Sequence, residues 1–564
     1  MNDSLHQSDK KRWRIVEASQ DAFSVIFGET ISEQTNATIR RFSSLFTEEC
    51  ARSHLQGVVE LVPAYCSVTI YFAPLTADIH ALRQCAERCA ENAVTSECDP
   101  DAVESVVHEI PVCYQGDYAP DLKNVASHTG LLIEEIIALH SSRDYLIYML
   151  GFLPGFAYLG GMDERLTTPR LSTPRTKIPA GSVAIGGAQT GLYPLESPGG
   201  WQIIGRTPLK IYDANRTPPV LYKAGEKIRF VPISAEDFVR IADEQTSEKA
   251  DSVSERPRFV VTGGIHVNAP GICTTVQDLG RSGLQASGVS ESGAMDKVSL
   301  VLANRLVGNP DDAAALELTL SAPEIRFTTP CDFAITGADI QPCLDGNRIA
   351  QNTMIHALEG SVLTGGFASA GLRSYVAFRG GILVPPVLES RSTNLQCGLG
   401  GLDGRKLRAG DELAVGNACA PKQLPLPQPV RLPNSSETVV IRVTKGAQYD
   451  FFPPQIVAQF TGTVYTVSAE SNRMGIRFSG SSLDCGKTDI ISDAISLGAV
   501  QITSAGLPVV MAADRQTCGG YAKIACVIRA DMAVLSQCAP QTKVQFAFVT
   551  QEEAEKALQE QYYE

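Results

Sequence analysis

His108 to Val231 is written in short apolar pieces: Glu109-Ile-Pro-Val-Cys-Tyr114, Ser182-Val-Ala-Ile185, Gln202-Ile-Ile204, Leu209-Lys-Ile-Tyr212 and Lys227-Ile-Arg-Phe-Val231, each closed off by a Gly/Pro turn. Runs this short, punctuated this regularly, predict a closed or nearly closed β-barrel. One helix, near Leu132 to Ser141, interrupts it.

The text on either side reads differently. In residues 1–96, Phe23-Ser-Val-Ile-Phe27 and Ser67-Val-Thr-Ile-Tyr-Phe72 look like strands, whereas Ser32 to Phe46 and Asp78 to Glu91 carry helical spacing, with Ser32 placed to cap the first helix. Two strand–helix units predict a small α+β sandwich in front of a barrel at 97–233. Ser234 to Arg258 (SAEDFVRIADEQTSEKADSVSERPR) then loses the apolar period; its first half is expected to be a short helix and its second half an acidic linker. Short strands resume at Phe259 and run to about Leu413, up to a Pro-rich hinge at 420–433 (APKQLPLPQPVRLP). They restart at Val439-Val-Ile-Arg-Val443 and reach about Val549, before a charged helix or tail at Glu552 to Glu564. The expected fold is mainly β with α+β: one barrel in the first half, and two barrel-like subdomains, 259–419 and 434–564, in the second. The chain reads as two globular proteins joined end to end.

Bulk composition sets limits on function. The chain has 564 residues, too many for one core, and its 44% hydrophobic and 20% charged content is that of a folded chain. No run reaches the ~18 apolar residues of a membrane helix. No apolar segment follows the basic residues of MNDSLHQSDKKRWRIVEAS, so a cytoplasmic location without a membrane partner is expected. A net charge of −14, from 48 basic and 62 acidic residues, speaks against a nucleic-acid partner. Fifteen scattered cysteines lack any CxxC pair, and eight histidines stand singly. Cys85 and Cys89 can share a helix face but have no histidine pair near them, so no metal site and reduced thiols are expected.

Familiar chemical motifs are absent or fail. Ser479 to Asp489 (SGSSLDCGKTD) imitates a Walker A loop, but five residues separate Gly480 from Gly486 where four are needed, and the text that follows reads as strand and turn. Two Gly/Pro-dense segments remain, Gly151 to Gly161 (GFLPGFAYLGG) and Ser197 to Thr207 (SPGGWQIIGRT), in which Gly199 and Gly200 free the backbone and Phe152, Phe156, Tyr158 and Trp201 supply apolar walls. Such segments are equally the tight corners of a barrel packed with aromatics. Arg170, Arg175, Lys177, Gln189, Tyr193 and Arg206 stand nearby in sequence and together suit a cationic pocket for a carboxylate or phosphate. The second half carries six polar islands: Thr275–Arg281 with Gln277, Asp278 and Arg281; Ser290–Asp296 with Ser292 and Asp296; Asn304, Asn309 and Glu317; Glu389–Thr393 with Arg391; Ser471–Gly475 with Arg473; and Asp514–Tyr521 with Asp514, Arg515, Gln516, Thr517, Gly519, Gly520 and Tyr521. Any one fits a surface loop; six fit convergence on one cleft better. His140 ends the first barrel's helix, where it serves as a base or, more simply, compensates the helix dipole. Cys518 lies in a Gly-rich loop but has no histidine near it in sequence.

From about Arg14 to Ile233 the chain resembles the B subunit of bacterial 5-oxoprolinase (allophanate hydrolase subunit 1, kinase-inhibitor family). The resemblance is carried by Val62-Pro-Ala-Tyr65, Ile110-Pro-Val-Cys-Tyr114, GFLPGFAYLGG, Thr168-Pro-Arg170, Thr173-Pro-Arg175, IPAGSVAIGGAQTGLYP and SPGGWQIIGRTP. From about Ile265 to Ala554 it resembles the C subunit of the same enzyme (allophanate hydrolase subunit 2, biotin-dependent carboxyltransferase family), through TTVQDLGRSG, SGAMD, LANRLVGN, ESRST, SNRMGIRFSG, LGAVQI and DRQTCGGYAKIA. The resemblance implies cyclophilin-like barrels, and an enzyme that cleaves 5-oxoproline to glutamate with ATP and Mg2+ when a separate A subunit is present. It also implies a small-amide site between the two modules. Arg170, Arg175, Lys177, Arg281, Arg473 and Arg515 are candidates to hold phosphate or carboxylate, and Asp278, Asp296 and Asp514 to act as general base or magnesium ligand. The sequence departs from the family at Glu389, where glycine is usual; at Asn472, where Asp is common; at Thr517-Cys518, for Thr-Thr; and at Gly225-Glu-Lys, for Gly-Asp.

Two other functions compete. One is a carboxyltransferase or amidase module acting on urea, allophanate or another small amide; no biotinylation motif is present here, so biotin would come from a partner. The other is an inhibitor of a sensor histidine kinase, which fusion to a complete second module argues against. Association of two chains is left open by the sequence.

Overall fold

In the computed structural model, which describes residues 12–95, 106–252, 263–417, 424–434, 437–486 and 488–563, the Ser32 hydroxyl accepts from the Thr35 amide and starts α1 (Glu33–Arg52). α1 and α2 (Ile79–Thr95) cover one face of an antiparallel sheet of β1 (Arg14–Ser19), β2 (Ala22–Ile26), β3 (Val58–Pro63) and β4 (Ser67–Phe72), in the order β1-β2-β4-β3. Phe23, Phe42, Phe46, Ile70 and Leu82 fill the space between sheet and helices. The sandwich thus holds twice the strands the sequence showed. The expected boundary at 96/97 lies outside the described residues.

The first barrel closes seven strands: β5 (Val107–Cys113), β6 (Asp144–Leu150), β7 (Ala157–Gly160), β8 (Ser182–Gly186), β9 (Gln189–Leu192), β10 (Gln202–Arg206) and β11 (Lys227–Ile233). Around the ring they run β5-β10-β8-β9-β7-β6-β11, and the parallel pair β11–β5 completes it. Alternate residues such as Val183 and Ile185, or Ala157 and Leu159, point inward, as the period of a strand requires. Two helices interrupt the ring where one was expected, α3 (Leu122–Thr129) and α4 (Ile133–Ser141), split by Gly130 at φ +73°. Leu209-Lys-Ile-Tyr212 is no strand: only Tyr212 bridges, to Val220, because Pro208, Pro218 and Pro219 supply no ladder amides.

The linker region is more ordered than its composition indicates. Ser234 accepts from the Asp237 amide, and α5 runs over Ala235–Ser252. Phe238 packs on Tyr118 with ring centroids 4.2 Å apart, and Gln245 accepts from the Lys210 amide. Residues 253–258 of the expected linker lie outside the described residues.

In the middle unit the expectation of a barrel-like subdomain is corrected. Its strands form a seven-stranded and a five-stranded sheet, which enclose Ile265, Leu316, Phe327, Phe333 and Phe378 between them. The Pro270-Gly271 turn carries the chain from Gly264–Ala269 in one sheet to Cys273–Gln277 in the other, so consecutive strands face each other instead of pairing. α6 (Lys297–Leu306) covers the five-stranded sheet. The described part of the hinge, 424–433, has no regular structure.

The last unit is a second closed barrel of seven strands: β12 (Thr438–Lys445), β13 (Tyr465–Val467), β14 (Gly475–Ser479), β15 (Ala499–Ile502), β16 (Pro508–Met511), β17 (Lys523–Val527) and β18 (Lys543–Phe548). α7 (Pro454–Gly462) lies between its first two strands, and α8 (Arg529–Ser536) and α9 (Gln551–Tyr563) flank the last. The ring runs β12-β17-β15-β16-β14-β13-β18, closed by the parallel pair β12–β18. Adding seven to each label of the first ring gives the second. Each barrel also projects a two-stranded ribbon, Arg175–Ile178 with Ser197–Gly199 and Asp489–Ala494 with Cys518–Tyr521. The false Walker loop leads into the second ribbon and not into a helix. No helix among the described residues is long and apolar enough to cross a membrane.

Candidate functional site

Residues 291–296, Glu-Ser-Gly-Ala-Met-Asp, are tied down one by one. The Glu291 carbonyl accepts from the Arg281 amide and the Ser292 amide donates to the Ala513 carbonyl. The Gly293 carbonyl accepts from Arg473 Nη2 at 2.6 Å, and the Ala294 amide donates to the Asp278 carbonyl. The Met295 amide donates to Glu317, and Asp296 caps α6 through the Ser299 amide while Gln537 donates to its other oxygen. Gly293, at φ +84°, must be glycine, since a Cβ there would lie 2.7 Å from the Leu279 carbonyl oxygen. Ser292 itself is held at φ +57°, a conformation that strains any L residue with a Cβ.

Four of the other five polar islands gather at this loop, and Glu317 from the fifth joins them. Most of their charges are spent on each other or on the amides and hydroxyls of these loops. Arg473 grips Asp514 with two nitrogens, at 2.9 and 3.2 Å, and Glu317 with a third at 2.5 Å. Burial would raise the Glu317 carboxyl, but Arg473 and Arg373 hold it below the ordinary glutamate value. Asp278 accepts from the Ser390 hydroxyl at 2.7 Å, and from the Gly280 and Arg391 amides and the Ser392 hydroxyl. Arg515, 2% exposed, donates to the Ile495 carbonyl and to Gln285, and lies 3.6 Å from Glu291. Gln285 and the Ala286 amide in turn donate to Glu60 of the first half. The three aspartates expected as base or metal ligand are therefore anchors of loops, and Asp296, fully buried, is pushed up in pKa by that burial.

Above the loop a cleft of about 300 Å3 opens between the halves. The second half lines it with Glu291, Ser292, Met295, Lys297, Val298, Leu497, Arg529, Met532 and Leu558, and the N-terminal sandwich with Asp21 and residues 73–76. Lys297 pairs with Glu291 at 2.7 Å, and Arg529 pairs with Asp21. Burial works against the charged form of Glu291, yet Lys297 and Arg515 keep its carboxyl below the ordinary value. Two ion pairs on an otherwise apolar wall suit a small ligand with a polar end and a hydrocarbon body.

The residues expected in the first half form a different structure. Phe156, Tyr193 and Trp201 are buried in a packed aromatic corner, with Phe156 centroids 5.2 and 5.8 Å from those of Tyr193 and Trp201. A Cβ on Gly186, Gly191 or Gly199 would lie 2.5–2.9 Å from these rings or from Ile178, so the glycines serve packing. The cationic pocket does not form. Arg175 pairs with Asp121 at 2.6 Å, Lys177 with Glu196 at 2.9 Å, and Arg206 donates to the Ala180 carbonyl and faces the Phe238 ring. Arg170 lies exposed over Trp201, and Gln189 donates to Tyr65. Tyr158 meets Tyr65 and Phe156 edge to face. His140 is corrected too: it is wholly buried between the Tyr114 and Thr190 hydroxyls, each 2.8 Å away, and burial lowers its pKa to about 3. Cys518, pushed by burial up to about 12, meets the first half at Gly151, where a Cβ would lie 2.8 Å from its own.

Of the remaining expected residues, Ser292 lines the cleft. Gln277 is buried behind Thr393, Arg391 donates to the Val384 carbonyl, and Gln516, Thr517, Gly519, Gly520 and Tyr521 lie in or beside the second ribbon, where Thr517 and Cys518 meet Gly151 and none of the five lines the cleft. Asp21, Glu291, Lys297 and Arg529 were not singled out in the sequence. Glu291 was open to reading from its place inside a polar island; Asp21 and Arg529 are 508 positions apart and carry no local signal. Among the described residues no three His, Cys, Asp or Glu side chains converge as a metal site.

A chain with two topologically identical barrels and a cleft walled by both halves belongs to a class that family models describe as the carboxyltransferase domain. Subdomains C and D match residues 13–222, and subdomains A and B match 287–548. The chain is 38% identical over 233 residues to the 5-oxoprolinase B subunit of Bacillus subtilis (strain 168), covering 40% of this chain and 95% of that protein. It is 39% identical over 297 residues to the 5-oxoprolinase C subunit of Escherichia coli (strain K12), covering 52% of this chain and 94% of that protein. The crystal structure of TTHA0988 superposes with a TM-score of 0.77 at 30% identity, covering 93% of this chain and 99% of the other. The chain belongs to the family of the B and C subunits of 5-oxoprolinase, with both joined in one polypeptide.

Proposed function

We propose that this chain is the B and C component of an ATP-dependent 5-oxoprolinase, which opens 5-oxoproline to glutamate together with a separate A subunit. The observation that carries this is that each half matches nearly the whole length of a protein named as one of those components. The cleft takes the lactam: Lys297 or Arg529 faces its carboxylate, Met295, Val298 and Met532 face its methylenes, and Ser292 or Glu291 its amide. A lactam resists water because its nitrogen donates into the carbonyl. Phosphorylation of the amide oxygen by ATP removes that donation, and the protein's part is positioning and electrostatics. Mg2+ enters only as the ion that ATP carries.

The test mixes the purified chain with an A-subunit homologue, 5-oxoproline and Mg-ATP, and measures glutamate and ADP. Glutamate and ADP form in equal amounts with both proteins, and no glutamate forms from the chain alone. Absence of product with the partner present overturns the reading. The second reading, carboxyl transfer to urea or a related amide with a biotin-bearing partner, is favoured by the description of both matching domains as carboxyltransferase. Turnover dependent on urea and a biotinyl carrier, and absent with 5-oxoproline, establishes it instead.

A further inference from the structure

Arg281 is 2% exposed, yet among the described residues it has no ion pair. Nη2 donates to the Ser392 carbonyl at 2.6 Å, Nε reaches the Val387 carbonyl only at 3.5 Å, and Nη1 is buried with no partner. Its neighbours Asp278 and Asp514 are engaged, the first with Ser390, Ser392 and two amides, the second with Arg473. Tyr212, from the other half of the molecule, is 5% exposed, and its hydroxyl is likewise buried without a partner. Segment 387–400 brings the two together. Its Val387 and Ser392 carbonyls hold the guanidinium, while Leu388, Cys397 and Leu399 pack into the cluster that contains Tyr212. Gly400, at φ +67°, lets the chain pass this bond, since a Cβ would stand 2.1 Å from the Ser392 carbonyl oxygen and 2.8 Å from Arg281 Nη2.

A buried guanidinium with no carboxylate bonded to it and one nitrogen unpartnered is costly, and native proteins seldom keep one idle. Two unpartnered donors from opposite halves complement a group that only accepts. We propose that Arg281 Nη1 and the Tyr212 hydroxyl form a slot for one oxyanion, carboxylate or phosphoryl, at the seam between the halves. The Arg281 amide bonds the Glu291 carbonyl, so the slot adjoins the loop that floors the cleft.

Calorimetric titration of the full chain with 5-oxoproline, 2-pyrrolidinone (the same lactam without its carboxylate) and inorganic phosphate tests this. Tyr212→Phe removes an unpartnered hydroxyl, so the melting temperature of the free chain stays level or rises, while oxyanion affinity falls about tenfold. Loss confined to 5-oxoproline identifies a carboxylate in the slot; loss confined to phosphate identifies a phosphoryl group. Arg281→Lys keeps the charge without the planar fork and gives the same pattern, larger. The slot is overturned if Tyr212→Phe weakens neither oxyanion, if 2-pyrrolidinone weakens equally, or if the wild-type chain binds neither oxyanion. A wild-type chain that binds phosphate there but not 5-oxoproline keeps the slot as a phosphoryl site, whereas the 5-oxoprolinase reading falls separately, on absent turnover with the A subunit present.

Discussion

Glu389 shows how a single position was legible before its reason was. The resemblance leads one to expect glycine there; the structure adds that Glu389 is exposed and held at φ +64°. A non-glycine residue in this conformation costs roughly 1–2 kcal/mol, partly offset by the greater unfolded-state freedom of glycine. Glu389→Gly is expected to stabilise the chain by about 0.5–1 kcal/mol, read as a higher denaturation midpoint at unchanged slope. His140 illustrates the opposite case: its position at a helix end suggested a cap, and only three-dimensional burial shows a neutral core residue. Its pKa falls from 6.5 to about 3, so the unfolded chain binds a proton across that window that the folded chain refuses. Stability contributed here is complete above about 6.5 and is lost as pH falls toward 3. His140→Gln is expected to flatten that part of the stability–pH curve. At the cleft, Lys297→Ala is expected to raise the KM for the lactam about tenfold through loss of a charged contact, whereas Arg170→Ala, which does not line it, leaves that KM unchanged.

At the scale of elements, strands and helices announced themselves through local period, and contacts between distant elements did not. The turn after β1 meets α8 and α9 through a latch: the Arg529 amide donates to Gln20, Gln20 donates to the Ala554 carbonyl, and Asp21 pairs with Arg529. Each of these residues is ordinary in its own sequence neighbourhood, which is why one wall of the cleft was invisible there. The polar islands were legible as a set because charged groups with glycines are unusual in strand text. Which of their charges pair, as Arg473 does with Asp514 and Glu317, depends on distances no spacing encodes. α9 contributes Leu558, 6% exposed, to the cleft wall. Leu558→Ala is expected to cost about 2–3 kcal/mol and to widen the cleft, measured as a lowered melting temperature together with weaker lactam binding.

At the scale of the whole molecule, the join between two proteins was readable from composition alone, because acidic, serine-rich text replaces apolar text at Ser234. The two-sheet middle unit was not, since short strands look alike whether they close a ring or face each other. The halves are sealed by Glu60 on Gln285 and Ala286, by the latch, and by an apolar cluster that mixes Val62 and Tyr148 with Ala494 and Cys518. Co-expression as separate chains ending at Ser252 and beginning at Gly263 is expected to yield a one-to-one complex with unchanged turnover, seen as a single peak on size-exclusion chromatography. Dissociation of the two pieces at micromolar concentration contradicts that.

The ring order that repeats after seven strands bears on ancestry. It repeats with its ribbon as well, so Ser197-Pro-Gly-Gly-Trp201 and Thr517-Cys-Gly-Gly-Tyr521 occupy matching places in the two barrels. A duplicated gene leaves such a pattern, and a pair of identical barrels is the natural forerunner of the present unequal pair. The first copy packs its ribbon loop into an aromatic corner, while the second sets Cys518 against Gly151 of the first half. Residues at matching positions of the two loops therefore form a ready set of exchanges for tracing how the two barrels diverged.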